Sequence, residues 1–600
     1  MLKAHSFHIP VMGIGFTIDS PLKVSRFGID SVISLVDDIL MEKMRKMYCL
    51  KFKIPYQEIT EKAEDFRAHR ITSYLNLMNT LSERKFEEFK EVLMKTRESI
   101  HEYFNELPDV STLKQQFLAY TRNNISLDEI KLWLKDNLSM GAIDVNIMTK
   151  VDKDNYLKGE KLPIEYNDAH AALRGFANST INSSIVLSAG MNPRLYAYLE
   201  QFKDFYPCEN GTIKKKIILK VSDYRSALIQ GKFLAKKGIW VSEYRIESGL
   251  NCGGHAFATD GYLMGPVLEE FKTKRKELQQ TIQGILFQTL VHKNCVVPKS
   301  DLEFKISAQG GVGTAEEHQF LIDYYGVNSV GWGSPFLLVP EATTVDIETR
   351  NKLIKAREED IYLSDISPLG VPFNSLKGNT KDLEKNKLIA KGRPGSSCPK
   401  KFVALNKEFT EKGICTASRQ YQHLKIKALD NENLSKEEYQ IKYEKIIDKA
   451  CTCVGLGTTA LLANNLDTRT EGTGVSVCPG PNIAYFSKKM RLDEIIRGIY
   501  GKSSKMTSNN RPNMFIKELD IYTAFFKKEL ENCIENLSPK KIKYLTTFIK
   551  NLEEGVIYYI QLFKKTKTTS FEEIETILSS LNKSKNLINL FSLEIKKLTV

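Results

Sequence analysis

Residues 302–341 read LEFKISAQGGVGTAEEHQFLIDYYGVNSVGWGSPFLLVPE, and the fold turns on them. Phe304 to Ala308 form a short apolar-alternating run that stops at Gly310 and Gly311, where a chain without Cβ atoms can approach an anion closely. Thr314 to Tyr325 carry a helical pattern, with Thr314 placed as an N-cap and Glu317 three residues on, the spacing of a capping box. A second apolar run, Val327 to Val330, ends at Gly331, Trp332, Gly333 and Ser334. Two successive strands that end in glycine-rich turns suit a barrel whose last two loops hold a phosphate on backbone N–H groups. Two ordinary glycine turns in an α/β domain are the other reading, and the upstream chain decides between them.

Upstream, Pro10 to Ile18 (PVMGIGFTI) reads as a buried first strand and Ser31 to Val36 as a second, joined by a short helix, Leu22 to Phe27. From Ile39 to about Met140 charged and apolar residues alternate at helical spacing, which marks a helical insertion. Strands resume at Ile143 to Met148, Ser184 to Ser188, Ile217 to Val221 and Ile239 to Tyr244, with a helix from Tyr224 to Lys237 among the connections. Together with the opening pair the count is eight. Eight strands alternating with helices predict an α/β fold, a (β/α)8 TIM barrel with its active site at the strand C-terminal ends.

The chain has 600 residues, 42% of them hydrophobic, enough for a large core and more than one domain. No apolar run reaches membrane-spanning length, and MLKAHSFHIPVMGIG lacks the features of a signal peptide, so the expected location is cytoplasmic with no membrane partner. The net charge of +13 is modest over this length and the lysines are spread out, which argues against a nucleic-acid partner. Ten cysteines in such a chain point away from a disulfide framework.

The sixth-strand turn Asn251-Cys252-Gly253-Gly254-His255 resembles the Glu-Ala-Gly-Gly-His turn of the flavin-dependent nitronate monooxygenase family, once called 2-nitropropane dioxygenases, which includes flavin enoyl-acyl-carrier-protein reductases. Residues 308–337 are similar to that family's Ala-Gly-Gly-Ile turn, helix and Gly-Val-x-Met-Gly-Thr-x-Phe ending. Asn146 in DVNIM looks like the asparagine of the family's Gly-Val-Asn strand, and MGIGF at residues 12–16 falls at its flavin-facing first turn. The likeness is collinear and covers residues 8–38 and 141–345. Asn251-Cys252 replace Glu-Ala, and Trp332 replaces Met.

The resemblance implies FMN, with its phosphate on Gly310, Gly311, Gly333 and Ser334 and its ring near Met12, Gly13, Asn146, Gly253 and Gly254. Lys220 is expected either to place positive charge near the pyrimidine edge, favouring the reduced ring, or to be a surface lysine. His255 is implied as a catalytic acid/base or a substrate-orienting residue, since an imidazole can give or take a proton near neutral pH. Cys252 is either a thiol beside the ring or a small side chain in place of alanine.

The expected organisation is a barrel from residues 1–38 and 141–345, a helical insertion at 39–140, a cysteine-containing extension at 346–489 and a helical region at 490–600. In the extension, Cys398, Cys415, Cys451, Cys453 and Cys478 are candidate thiolate ligands for an iron-sulfur cluster or another metal, or are unconnected buried thiols. A cluster there would exchange electrons with the flavin, an arrangement that resembles glutamate synthase in architecture. The last region is helical and Lys-rich, with apolar faces suited to the barrel or to a partner subunit in an oligomer. Two functions follow. One is an FMN-dependent oxidoreductase acting on a small or acyl-chain substrate with an electron-transfer partner; the other is a flavin-free lyase, isomerase or scaffold that binds a phosphorylated metabolite.

Overall fold

In the computed structural model, eight strands close into an all-parallel barrel in the order β1-β8-β7-β6-β5-β4-β3-β2. They are β1 (Phe7–Ile9), β2 (Asp30–Ser34), β3 (Ile143–Ile147), β4 (Ser183–Leu187), β5 (Lys215–Val221), β6 (Val241–Glu247), β7 (Lys305–Gln309) and β8 (Ser329–Gly331). The structure describes residues 3–122, 126–188, 190–252, 260–534, 538–565 and 571–598, with only the backbone described for 533, 534, 571–573 and 598. Closure comes from β1, which pairs with β2 on one side (His8 opposite Asp30) and with β8 on the other (Phe7 opposite Val330).

Seven of the eight strands fall within a few residues of their sequence positions. The first does not. PVMGIGFTI lies beyond β1 as a run of turns, because Pro10 has no N–H for the ladder and Gly13 has φ of +140°. These apolar residues are buried all the same, since they pack across the barrel mouth under the helix Thr452–Ala463, where Gly15 N donates to Leu456 O at 2.8 Å.

Among the described residues, five helices lie between β2 and β3. The longest, Phe66–Leu93, buries Tyr74, Leu75 and Met78 in the barrel's own core and ends at Phe86 and Leu93 in a second core with Ile100, Phe104, Phe117 and Ile130. The chain re-enters the barrel at Gly141, whose N–H donates to Ser25 O at 2.8 Å.

The segment after residue 345 covers the C-terminal face of the barrel. Buried Lys400 reaches Asp37, just past β2, at 2.6 Å, and Glu471 at 3.2 Å, while Lys43 binds Glu471 at 2.8 Å. Two buried carboxylates share two lysines here, so neither charge is left unanswered. Three long helices, Met514–Ile534, Pro539–Lys565 and Phe571–Leu598, finish the chain, the first two against the segment that follows β6. Among the described residues no single helix is long and apolar enough to cross a membrane; only the pair Lys436–Ile447 and Thr452–Ala463, bent by 41°, reaches that length and composition together.

A Cβ at Gly141 would lie 2.1 Å from Ile29 O, a backbone atom that cannot turn aside. Gly141→Ala is expected to lose more than about 2 kcal/mol of stability in chemical denaturation, as overpacking against rigid neighbours does.

Candidate active site

Strand β6 sets the chemistry of the barrel interior. Glu243, Arg245 and Glu247 alternate along it, all on one face and all buried. Glu243 takes both Arg245 Nη2 (2.7 Å) and Arg245 Nε (2.9 Å), and Ser307 Oγ donates to it from β7. Burial alone would raise the Glu243 carboxyl, but the adjoining guanidinium holds it down at about 2. Across the interior, burial and neighbouring Asp30 lift Asp144 to about 6. Between these polar groups, Val32, Val186 and Ile218 form a small apolar cluster with Val11 packed on it.

At the C-terminal end of the barrel, the Glu247 carboxylate collects three donors on its Oε1. Lys220 Nζ lies at 2.9 Å, Asn251 Nδ2 at 2.6 Å and Gln309 Nε2 at 2.8 Å, and Gln309 Nε2 also reaches Asn251 Oδ1 at 2.9 Å. Buried Asn146, at the matching level of β3, donates Nδ2 to Val186 O at 3.1 Å. Lys220 is therefore no surface lysine. Its charge is already balanced by Glu247, so it brings no net positive field to the mouth.

The glycine turns lie side by side, since β7 and β8 are paired with Gly331 opposite Gln309. Gly310 and Gly311 have φ of +120° and +86°, which L side chains rarely adopt, and Ser334–Leu338 forms a short 3-10 helix starting at Ser334. Thr314 Oγ1 accepts from Glu317 N at 3.2 Å as an N-cap should. The reciprocal half of the capping box is absent, because the Glu317 carboxylate instead accepts from Gly313 N (2.9 Å), Met514 N (2.8 Å) and Arg511.

Protein stands over these turns. A Cβ at Gly311 would meet Leu250 at 2.4 Å and one at Gly333 would meet Cys252 at 2.9 Å. Ser334 Oγ donates to Pro479 O at 2.7 Å, and the ideal Cβ of Gly480 lies 3.1 Å from Asn251 O. The backbone has the shape of a phosphate turn, but the Ser334 hydroxyl is engaged by Pro479 O, and the side chains of Leu250 and Cys252 stand against Gly311 and Gly333. As these residues stand, the phosphate of FMN does not fit Gly310, Gly311, Gly333 and Ser334.

Met12 and Gly13 are buried at the β1 turn, where Gly13 faces Phe16 and Leu456. Gly253, Gly254 and His255 lie outside the described residues. Cys252 is buried, and burial together with nearby Cys478 pushes its thiol far above the ordinary value; it donates to Cys478 O at 3.4 Å. It serves as a small packed side chain, not as an activated thiolate.

The five cysteines of the extension divide. Cys478 sits beside Cys252 over the glycine turns, whereas Cys398 and Cys451 are hydrogen-bonded to each other, with Cys453 on Cys451 and Cys415 nearby. Among the described residues no group of three or more His, Cys, Asp or Glu side chains could hold a metal ion. The set therefore does not fit a metal or an iron-sulfur cluster as it stands.

The C-terminal helices pack on the barrel, one of the two places expected for their apolar faces, and they do so at its mouth. Gly249 N donates to Tyr522 Oη at 3.1 Å, Met264 N to Glu518 Oε2 at 3.0 Å and Gly265 N to Tyr559 Oη at 3.0 Å. Both described ends of the chain between β6 and the helix Met264–Thr273 are thus fastened to the helices Met514–Ile534 and Pro539–Lys565. The period-two charges Glu243, Arg245 and Glu247 in an otherwise apolar strand were a legible signal for the polar interior. Nothing in the sequence linked Glu518 or Tyr559 to β6.

No family model matches the chain, and no curated protein matches it in sequence. Among solved structures, nitroalkane oxidase from Streptomyces ansochromogenes aligns with a TM-score of 0.33 at 8% identity, over 84% of this chain and 96% of that one. A likeness of that size says nothing about what this chain does.

Burial raises the Glu518 carboxyl to about 7, against the pull of its Met264, Ser248 and Tyr559 donors. A carboxyl raised on folding is neutral in both states at low pH, so its cost is absent below about 4.5, grows as pH rises and is complete above about 7. Glu518→Gln should therefore gain on the parent protein by roughly 3 kcal/mol between pH 5 and pH 8 in denaturant titrations. An equal pH profile for both proteins would refute this reading of Glu518.

Proposed function

We propose that the barrel mouth is the active site of a flavin-dependent oxidoreductase of the nitronate monooxygenase or enoyl reductase type, acting on a small or acyl-chain substrate. The observation that carries this reading is convergence. Asn146, Lys220 and the glycine turns at Gly310 and Gly333, picked out across nearly 200 residues of chain, all lie toward the C-terminal ends of the strands of one closed barrel. That is the end where barrel enzymes carry their chemistry.

When bound, a flavin supplies two-electron redox chemistry. The chain's own part is to shape the mouth. Glu247, fixed by Lys220, Gln309 and Asn251, sets a rigid polar floor, and Asn146 adds an amide from β3. An incoming phosphate and Pro479 O compete for the Ser334 hydroxyl, so flavin binding requires residues 478–481 to give way. In this reading His255 handles the proton. Cytoplasmic location and an electron-transfer partner belong to the same proposal.

The covered turns favour a second reading, a flavin-free barrel in which Lys220 and Glu247 serve a lyase or isomerase. Spectroscopy separates the two. The first predicts a yellow protein, or a colourless one that takes up added FMN with a shifted flavin spectrum. Failure to bind FMN at concentrations approaching millimolar removes it. In the flavin-loaded protein, His255→Ala should lower turnover about 10²- to 10⁴-fold with FMN still bound, the range for loss of a general acid or base. Unchanged turnover would clear His255 of that role.

A further inference from the structure

Outside the barrel, the extension carries a half-open pocket of about 760 Å³, with Arg393 and Lys401 exposed at its rim and Arg419 half-buried in its wall. Two turns and two helix ends build it. Ser396 N donates to Ala417 O at 3.0 Å and Arg419 N to Ser396 O at 3.0 Å, which lays the turn bearing Cys398 beside the turn bearing Cys415. Helix Thr380–Ala390 ends at Gly392, with φ of +65°, and so delivers Arg393 to the rim. Helix Arg419–Leu429 begins at the wall, capped by Ser418 Oγ accepting from Tyr421 N at 3.2 Å.

The charge around this cavity is one-sided. Arg393, Lys401, Arg419 and His423 line it, and no carboxylate does. Arg393, Lys401 and Arg419 have no ion-pair partner among the described residues, and Arg419 Nε is buried without any hydrogen-bond partner. The nearby Glu408 is already taken by Lys425 at 2.7 Å and Tyr421 at 2.7 Å. Lys401 also holds φ of +55°, an uncommon conformation for a lysine and one that recurs where surrounding structure over-determines a ligand site.

Three permanent cations around one concave space focus a positive potential there, and the start of an eleven-residue helix adds to it. Arginine forks match the paired oxygens of phosphate and carboxylate groups. The volume is that of a metabolite site, and Ile414, Ile426 and Tyr443 give it apolar walls. We propose that this cavity binds a small multivalent anion, bearing phosphate or carboxylate groups, at a site distinct from the barrel mouth. The proposal is independent of whether the barrel carries a flavin.

Calorimetric titration of the full-length protein with inorganic pyrophosphate, and separately with citrate, tests it. At least one anion should bind, and the tighter of the two identifies the group recognised. The double variant Arg393→Gln, Arg419→Gln should weaken that binding about tenfold or more, as loss of charge-assisted bonds does, whereas Lys427→Gln, farther along the same helix, should leave it unchanged. If the double variant does not fold, Lys401→Gln takes its place with the same expected loss. No binding of either anion at millimolar concentration and low salt, or equal binding by parent and cavity variants, overturns the proposal.

Discussion

A carboxylate buried at the end of a barrel strand has to be answered, and Glu247 is answered three times on a single oxygen. Lys220 supplies the charge, while Asn251 and Gln309 supply amide hydrogens from the following loop and the next strand. Stripping any one donor leaves a costly charge in a dry place, so β5, β6, β7 and the post-β6 chain are locked in mutual register. Everything proposed for the mouth depends on that lock. It makes the floor of the site rigid, it cancels the positive charge of Lys220, and it carries Leu250 and Cys252 onto the glycine turns.

The same lock shows why the site is a shared construction. The chain beyond residue 345 does not hang from the barrel as an appendage. Lys400 is buried against Asp37 and Glu471, the VCPGP segment lies on Ser334, and Glu518, Tyr522 and Tyr559 fasten the chain on either side of the undescribed segment after β6. A barrel opened by removal of these segments would expose buried charges as well as apolar surface, which ties the integrity of the mouth to residues hundreds of positions away.

The barrel was legible because its strands announce themselves locally. Short apolar runs mark β2 to β8, glycine turns close the last two of them, and Thr314 marks the start of its helix by the hydrogen bond it makes there. The first strand was misplaced because burial and strand pairing are different things. PVMGIGFTI is apolar for packing under the helix Thr452–Ala463, while the strand is the less conspicuous FHI before it. The glycine turns, Asn146 and Lys220 were legible as candidates from their places at strand ends, and the structure puts all of them near the C-terminal ends of the barrel strands. Their partners were not. The engagement of Ser334 by Pro479 O, the separation of Cys478 from the other cysteines and the fastening of Gly249 and Gly265 by distant tyrosines are contacts between remote segments, and no periodicity encodes them.

The most direct test of the account is a crystal structure of the protein soaked with FMN. The account predicts that FMN is taken up at the barrel mouth only with residues 478–481 displaced and the Ser334 hydroxyl released from Pro479 O. A flavin bound elsewhere, or turns still covered by residues 478–481 in crystals that exclude FMN, would contradict it.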